Sequence, residues 1–338
     1  MEHFSFSRYC FVVRAKSDLY LPPFKGSTLR GGFGHVFRKI VCVNKDKECN
    51  HCFLHEKCIY ARVFESSPPS RHFVRKYSAA PRPFILCPPL TKKTHYQPGD
   101  TLDFELTLIG QSIDYLPYFI YSFIELGKRG IGREKGKYEL IEVRHKALDS
   151  VETVIYTGHN QSLKSIPPAI TLNDIVENGI PPPPTLTLLF LTPLRIKEKG
   201  DLVVDLTFPT LIARLIERMN VLSYLYCGGS APEENQALLK EAQNIKVKAK
   251  SLRWYDWERY SNRQKSRMKM GGLIGTITFS GHLSPFMPYL LLGQYIHVGQ
   301  GTTFGLGKYE ILKQYKSSKN LTNNKAFKTS NIFEVSNV

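Results

Sequence analysis

The first half of the chain shows two hydrophobic periods in succession. Over Phe4–Arg14 the apolar residues fall on alternate positions among aromatic and β-branched neighbours, which predicts a strand. Over Thr28–Val41 the apolar residues recur every three or four positions, which predicts a helix with Ser27 as its N-cap. Four further elements are predicted in this half: strands at Phe84–Cys87, Leu102–Ile109 and Lys137–Val143, and a helix at Tyr115–Leu126.

The second half predicts the same succession of elements. After a short strand at Val151–Tyr156, the proline-rich segment Ile180–Pro184 predicts a rigid connector. The elements that follow are strands at Leu186–Ile196, Ile245–Trp254, Gly272–Phe279 and Lys308–Leu312, and helices at Phe208–Tyr226 and Phe286–Ile296. The order strand–helix–strand–strand–helix–strand is the ferredoxin-like pattern.

The two halves also share short sequence matches at a single offset. The dipeptide Pro-Tyr at 117 recurs at 288, and Gly-Lys-Tyr-Glu-Leu at 136 recurs as Gly-Lys-Tyr-Glu-Ile at 307. Both pairs lie 171 residues apart (288 minus 117, 307 minus 136), as do Gly130 and Gly301. A shared offset over a helix, a loop and a strand predicts an internal duplication. We therefore expect an α+β protein with tandem ferredoxin-like (RRM-like, βαββαβ) domains: residues 1–148 with a Cys-rich insertion at about 42–65, residues 149–313 with a glycine-rich loop, and a disordered tail over 314–338.

The net charge of the chain limits the classes of molecule that it is expected to bind. The chain has 338 residues, with 46 Lys and Arg against 29 Asp and Glu, so its formal net charge is +17. A globular protein this basic typically binds a polyanion, either nucleic acid or an anionic membrane. We expect no membrane association, because no apolar run approaches spanning length and no basic amphipathic helix carries exposed aromatic residues.

The N-terminal residues and the cysteines predict a cytoplasmic protein. The first five residues lack the basic and apolar regions that a signal peptide needs. There are seven cysteines, an odd number with four of them clustered, which argues against a disulfide scaffold and for a reducing compartment.

The predicted helix over 28–41 carries a histidine on its polar side. At about 100° per residue, His35 falls opposite the apolar stripe, with Lys39 one turn further on and Arg38 nearby. A histidine beside a lysine can transfer a proton near neutral pH and stabilise a phosphorane-like charge. Glycines at 31, 32 and 34 each disfavour a helix by about 1 kcal/mol relative to Ala, so together they indicate a close backbone approach, by RNA phosphate or by another strand. The alternative is a solvated histidine on a basic face.

Four cysteines follow this helix with the spacing Cys42-x6-Cys49-x2-Cys52-x5-Cys58. Four soft ligands that include one C-x2-C pair suit a tetrahedral structural zinc site, with the two histidines of the same segment as alternative ligands. The alternative is a set of reduced cysteines in a loop. We expect no cofactor for catalysis.

A basic stretch runs from Lys246 to Lys269. It contains nine Lys and Arg residues against Asp256 and Glu258, and aromatic residues interleave over 254–260. Basic groups hold phosphates and exposed rings stack on unpaired bases, so the stretch predicts contact with RNA. The alternative is a solvated charged strand whose aromatic residues lie in the core.

Two glycine-rich loops, Gly127–Gly136 and Gly299–Gly307, lie between a predicted helix and a predicted strand. Neither matches a Walker A loop or a dinucleotide-binding fingerprint. Their backbone N–H groups could cradle an RNA backbone. The alternative is a tight helix-to-strand connection.

Three blocks of the sequence resemble one known family. They extend from Leu21 through the cysteine segment to Tyr60, from Asp256 to Gly272, and from His297 to Tyr309. In these blocks the chain resembles the CRISPR-associated RAMP-superfamily endoribonucleases that process precursor CRISPR RNA, the Cas six family. The final block is the most specific, because the superfamily is named for such a glycine-rich loop near the C-terminus.

The resemblance implies tandem ferredoxin-like domains and metal-independent cleavage of CRISPR repeat RNA. In that reaction the ribose 2′-OH attacks the neighbouring phosphate and leaves a cyclic phosphate and a 5′-OH. The resemblance also implies that His35 is the general acid–base residue, helped by Tyr20 and by Lys39 or Arg38. The RNA contacts are expected at Arg30, Arg38, Arg259, Arg263, Lys265, Arg267, Gly299, Gly301, Thr302, Thr303, Gly305, Gly307 and Lys308.

The expected partners are CRISPR repeat RNA and the subunits of a CRISPR effector complex, and the chain is expected as a monomer or a homodimer. Two alternatives stay open at this point. One is a non-cleaving RNA-binding subunit of a CRISPR ribonucleoprotein, from which His35 distinguishes an enzyme. The other is a zinc-stabilised nucleic-acid scaffold, which would show no preference for a repeat.

Overall fold

A computed structural model describes residues 3–45, 48–65, 80–231, 235–261 and 266–312. The tail predicted over 314–338 lies outside these ranges. The described residues form a seven-stranded sheet from residues 5–171 and a four-stranded sheet from residues 185–312, each covered by helices on one face. Three two-stranded ribbons complete the sheet structure of these residues. None of the helices over these ranges combines the length and the apolar content needed to cross a bilayer.

The N-terminal unit is built on a first strand that buries alternate residues against the helices. Its strands are β1 (Ser5–Ala15), β2 (Leu19–Tyr20), β3 (Phe84–Cys87), β4 (His95–Tyr96), β5 (Thr101–Ile109), β6 (Tyr138–Lys146), β7 (Glu152–Thr157), β8 (Ser162–Leu163) and β9 (Ile170–Thr171). Its helices are α1 (Gly26–Val41), α2 (Ile59–Phe64), α3 (Leu116–Arg129) and α4 (Leu172–Glu177), with 3₁₀ turns at Cys49–His51, His55–Lys57 and Gly110–Tyr115. The alternate residues Tyr9, Phe11 and Val13 of β1 are buried in one core with Phe33 of α1.

The central strands of this unit follow the ferredoxin-like order β3–β5–β1–β6, and all the pairs are antiparallel. The strand predicted at 151–156 is β7, and it pairs with β6 in this same sheet, followed by β8. β9 pairs with the start of β1. The first sheet therefore extends past residue 148.

The C-terminal unit repeats the same topology. Its strands are β10 (Thr185–Leu194), β11 (Lys197–Glu198), β12 (Asp201–Leu202), β13 (Lys246–Tyr255), β14 (Glu258–Ser261), β15 (Ser266–Lys269), β16 (Gly272–Ser280) and β17 (Tyr309–Leu312). Its helices are α5 (Phe208–Tyr226), α6 (Gln236–Glu241) and α7 (Met287–Ile296), with 3₁₀ turns at Ala242–Asn244, Ser284–Phe286 and Thr302–Phe304. The sheet order is β13–β16–β10–β17, which is the order of the first unit. The prediction of an α+β fold with tandem ferredoxin-like units is confirmed.

The start of α1 differs from its prediction. The helix begins at Gly26, two residues before Thr28, and Ser27 lies inside it rather than capping it. Lys25 occupies the cap position without a side-chain hydrogen bond to the helix; its buried ammonium instead donates to the carbonyls of Pro23 and Thr91, 3.1 Å from each. This contact fixes the loop that leads into α1.

The two units pack against each other through apolar contacts. Phe4 and Phe6, around the start of β1, belong to the same core as the helices of the C-terminal unit. A smaller cluster joins Phe24, in the loop before α1, to Met270 and Leu306. The junction thus brings the start of α1 against the C-terminal glycine-rich loop.

Candidate functional site

Three glycines allow α1 to lie close to its neighbours. A Cβ on Gly26 would stand 2.0 Å from the carbonyl oxygen of Phe304, so only glycine lets the helix begin against the C-terminal loop. A Cβ on Gly32 would come within 2.9 Å of α3, and a Cβ on Gly34 within 3.1 Å of α2. These glycines therefore position α1 where the two units meet.

One flank of α1 presents a histidine among cations. His35 is exposed, and Lys39 lies one turn further along the helix. Arg129, the last residue of α3, faces the same flank. Partial burial lowers the pKa of His35 below its ordinary value, and the charges of Lys39 and then Arg129 lower it further. The imidazole is therefore neutral near pH 7 and can accept a proton, while the two cations can attract a phosphate.

Tyr20, the expected helper of His35, makes its contacts elsewhere. Its ring stacks on the ring of His95 with 4.6 Å between centroids, and His95 pairs with Asp18 at 2.6 Å. Its carbonyl accepts a hydrogen bond from the backbone N–H of Arg133 at 3.1 Å. Within the described ranges, no hydrogen bond or ring contact joins Tyr20 to His35, whereas Lys39 lies on the same flank.

The other flank of α1 meets an aromatic ring that is shared between the two units. The guanidinium of Arg30 lies 5.3 Å from the ring centre of Phe304, and that of Arg259, from β14, lies 4.7 Å from the same ring. Burial lowers the pKa of Arg30 to about 10, and repulsion from Arg82 and Arg259 contributes. The Nε atoms of Arg30 and Arg259 are buried without a hydrogen-bond partner among the described residues. Clustered guanidinium groups suit a phosphate because of their positive charge and planar N–H donors.

The contact between cations and rings continues along α1 towards α2. Arg30 also lies over the ring of Phe64 at 5.0 Å, and Phe64 stacks on Tyr60 with 5.1 Å between centroids. Arg38 lies over Tyr60 at 5.6 Å. Cation–π contacts orient the guanidinium groups without neutralising their charge. The structure thus brings together Arg30, Arg38 and Arg259, three of the predicted RNA contacts.

The C-terminal glycine-rich loop is a tight connection. A Cβ on Gly307 would stand 1.8 Å from the carbonyl oxygen of Val298, and a Cβ on Gly305 would stand 2.9 Å from that of Leu86. The N–H of Gly307 donates to the carbonyl of Pro193 at 3.1 Å. The loop residues predicted to hold RNA all make such close contacts or are buried in the protein: Gly299, Gly301, Thr302, Thr303, Gly305 and Gly307. The geometry therefore favours the alternative of a tight connection over an RNA cradle.

Lys308 lies in an ion cluster between the units. Its ammonium is 3.6 Å from a carboxylate oxygen of Glu105 in β5, which also pairs with Arg8 and Lys146. Burial would raise the pKa of Glu105, but Lys308 and Arg8 lower it to about 2. Lys308 thus makes a contact between the two sheets, and its role in RNA binding stays a prediction.

The basic stretch lies on β13 and on the hairpin of β14 and β15. Arg267 is exposed on β15, opposite the register position of Tyr260. The ring of Trp257 packs edge-on against Phe24 with 4.8 Å between centroids, so it is held within the protein rather than free to stack on a base. Two of the predicted RNA contacts, Arg263 and Lys265, lie outside the described residues.

The four clustered cysteines are free thiols and do not form a ligand set. Cys42 donates to the carbonyl of Asn44 at 3.5 Å, and the side-chain amide of Asn44 contacts the sulfur of Cys52 at 3.9 Å. Over the described ranges, no group of three or more His, Cys, Asp or Glu residues is arranged to hold a metal ion. The structure does not support the zinc prediction.

Comparison with known families decides the affiliation of the chain. Residues 188–309 match the family model of the CRISPR-associated endoribonuclease Cas6, and residues 4–168 match a model described as an N-terminal domain. The C-terminal part of the chain thus matches the CRISPR-associated Cas6 family. The predicted resemblance is confirmed.

Cas6 proteins of known structure share the fold of this chain. The product complex of a Thermus thermophilus Cas6 has a TM-score of 0.56 and 16% sequence identity, over 91% of this chain and 99% of the other. A partial Cas6-RT-Cas1–Cas2 complex has a TM-score of 0.56 and 17% identity, over 94% of this chain and 48% of the other. An uncharacterised protein of Archaeoglobus fulgidus is 26% identical over 313 residues, 89% of this chain and 97% of the other.

Sequence reasoning missed three residues of this site. Arg129 lies more than 90 residues from His35 in the chain, and Arg82 and Phe304 carry no local pattern that links them to α1. Only the packing of α3, of the segment before β3 and of the C-terminal loop brings them to the helix.

Proposed function

We propose that this chain is a metal-independent endoribonuclease that binds CRISPR repeat RNA and cleaves precursor CRISPR RNA. The observation that carries the proposal is the flank of α1 on which a neutral, exposed His35 stands among Lys39 and Arg129. A proton acceptor and two cations are what an internal attack on a phosphodiester requires. The match of residues 188–309 to the Cas6 family model supports the choice of RNA as substrate.

In the proposed reaction, the 2′-oxygen of the ribose forms a bond to phosphorus and the bond from phosphorus to the 5′-oxygen breaks. The 2′-OH proton passes to a ring nitrogen of His35, and the 5′-oxygen takes up a proton from water. Lys39 and Arg129 stabilise the additional negative charge on the phosphate oxygens. The products are a cyclic phosphate and a 5′-OH.

RNA binding is assigned to the flank of α1 that carries Arg30 and Arg38, together with Arg259 and Arg267 of the hairpin. These residues supply positive charge, and the ring of Phe304 holds Arg30 and Arg259 together at the junction of the two units. Phosphate contacts of this kind position a strand without reading its sequence. A role for Tyr20 stays a prediction, as do effector-complex partners, the oligomeric state and cytoplasmic localisation.

The test is cleavage of a labelled CRISPR-repeat RNA in EDTA, with wild type, His35→Ala and a substrate that carries a 2′-deoxy ribose at the cut. We expect wild type to cleave the natural RNA and His35→Ala to leave it intact. Neither protein should cleave the substrate with the 2′-deoxy ribose. Full activity of His35→Ala would remove His35 from the mechanism. Activity that disappears in EDTA and returns with added metal would overturn metal independence.

A non-cleaving RNA-binding subunit is the second candidate. The observation that favours it is the separation of Tyr20 from His35, which leaves the histidine without its expected partner. The same experiment distinguishes the two, since this candidate binds the repeat RNA tightly and leaves it intact.

A further inference from the structure

Gly31, in the middle of α1, is a glycine that the protein itself does not require. A Cβ placed on it meets no atom of the described residues within 4 Å, in contrast to Gly26, Gly32 and Gly34. Its φ is not in the positive range that favours glycine. Glycine inside a helix is nevertheless less favourable than alanine. Neither packing against the part of the chain that the structure describes nor backbone conformation therefore explains why this position lacks a side chain.

The place of Gly31 on the helix points to a ligand. At 100° per residue, Gly31 lies on the exposed ridge of α1, with His35 and Lys39 towards one side and Arg30 towards the other. His35 follows one turn further along. Cations thus line both sides of a position that offers only backbone.

We propose that the sugar–phosphate backbone of the RNA crosses α1 at Gly31, in direct contact with the helix backbone. This inference rests on the proposed function and adds to it a positioning residue. A side chain at Gly31 would hold the strand away from the helix, whereas glycine lets the phosphate sink between the two cationic flanks. With the phosphate this close to the helix backbone, the ribose 2′-OH lies beside His35. Gly31 therefore sets the distance between the substrate and the proton acceptor.

The test compares Gly31→Ala and Gly31→Gln with wild type, using the full chain. The matched control is Ala237→Gln, which adds the same side chain at an exposed position of α6, in the other unit. Three quantities are measured: the Tm of the free protein, the Kd for repeat RNA with a 2′-deoxy ribose at the cut, and the single-turnover cleavage rate of the natural RNA.

The proposal predicts opposite signs for stability and function. Gly31→Ala should raise the Tm, because alanine favours the helix, and yet should bind and cleave more weakly than wild type. Gly31→Gln should weaken the Kd by about tenfold, which corresponds to about 1.4 kcal/mol. Ala237→Gln should leave the Kd and the rate unchanged.

Two outcomes overturn the inference, and they are distinguishable from a failure of the proposed function. Gly31 variants that bind and cleave like wild type show that no substrate backbone contacts this ridge. Gly31 variants that lose Tm but keep the wild-type Kd show that the glycine serves packing. If wild type itself neither binds nor cleaves the repeat RNA, the proposed function fails, and the inference falls with it.

Discussion

α1 and α5 occupy the same place in the two ferredoxin-like units, since each follows the first strand of its sheet, but they differ in burial. None of the nineteen residues of α5 is exposed. Of the sixteen residues of α1, four are exposed: Gly31, His35, Arg38 and Lys39. Three of those four carry the charge or the proton chemistry of the candidate site. One copy of the helix is thus used for the core and the other for the surface chemistry.

The difference follows from what covers each helix. α5 packs on α7, and its end also meets the first unit, where the hydroxyl of Tyr226 donates to the carbonyl of Pro81 at 3.0 Å. A Cβ on Gly110 would stand 2.0 Å from the carbonyl oxygen of Tyr226, so this contact is close. α1 is instead covered by α2, by α3 and by the C-terminal loop, and its outward ridge stays free. A helix enclosed by two units supports the fold, whereas a helix at their edge can meet a substrate.

The largest effect is expected from His35→Ala. Loss of the proton acceptor should lower the cleavage rate by about 10²- to 10⁴-fold, with the Kd for repeat RNA and the Tm near wild type. The rate is measured by single-turnover cleavage, the Kd by binding of the 2′-deoxy RNA, and the Tm by thermal unfolding. The matched control on α5 is Arg214→Gln, which breaks only a pair with Glu217 and should not change the rate. Equal loss in both variants would contradict the division of roles between the helices.

The converse change is Leu215→Ala in α5. Leu215 is fully buried, so truncation should lower the free energy of unfolding by about 2 to 5 kcal/mol. Below the unfolding transition, the cleavage rate per folded molecule should match wild type, because no catalytic group is moved. Urea unfolding gives the first quantity and active-site-normalised cleavage gives the second. A strong loss of cleavage in fully folded protein would show that α5 also shapes the site.

The sequence predicts the helix of the core better than the helix of the site. Periodicity gives α5 its observed bounds, Phe208–Tyr226, because the bounds of a largely buried helix are determined by its own apolar residues. The start of α1 is missed by two residues, because it depends on the contact between Gly26 and Phe304 across the junction. The same applies to the site: His35 and Lys39 follow from helical spacing, whereas Arg129 reaches His35 only through tertiary packing.

The glycine-rich loop and the aromatic residues show a second limit. Glycine spacing can indicate either a ligand cradle or a tight turn, and only the positions of Val298 and Pro193 decide for the turn at Gly307. In the same way, a tryptophan in a basic stretch can stack on a base or on a protein ring, and Trp257 packs on Phe24. The sequence therefore predicts which contacts a glycine or a tryptophan can make, but it does not predict which residues or ligands lie next to it in the fold.

A smaller effect is expected where α1 meets the second unit. Arg259→Ala should weaken the Kd for repeat RNA by about tenfold, or about 1.4 kcal/mol, and reduce the slope of log Kd against log salt by about 1. Phe304→Leu should weaken binding in the same direction without a change in charge, since the ring orients both Arg30 and Arg259. Fluorescence anisotropy over a salt series measures both.

The control for this pair is Arg14→Ala, on the first sheet. Arg14 is exposed but pairs with Glu139 at 3.6 Å, so its charge is already partly neutralised and its loss should leave the Kd unchanged. A salt slope that falls equally for Arg14→Ala and Arg259→Ala would mean that the RNA responds to total charge rather than to the cations at the junction.

The smallest effect tests the electrostatics of the exposed flank itself. Burial, Lys39 and Arg129 all lower the pKa of His35, so the acid limb of kcat/KM should lie below the ordinary histidine pKa of about 6.5. Lys39→Gln removes one of the lowering charges. The pKa of His35 therefore rises, and the acid limb should move to higher pH by less than about one unit, with a smaller shift at high salt because exposed charges are screened.

Lys197→Gln, which removes an equal charge from β11, should leave the limb in place. A limb that stays put in Lys39→Gln, while His35→Ala still abolishes cleavage, would show that another group titrates there, and that the charged ridge of α1 acts on the phosphate rather than on the histidine.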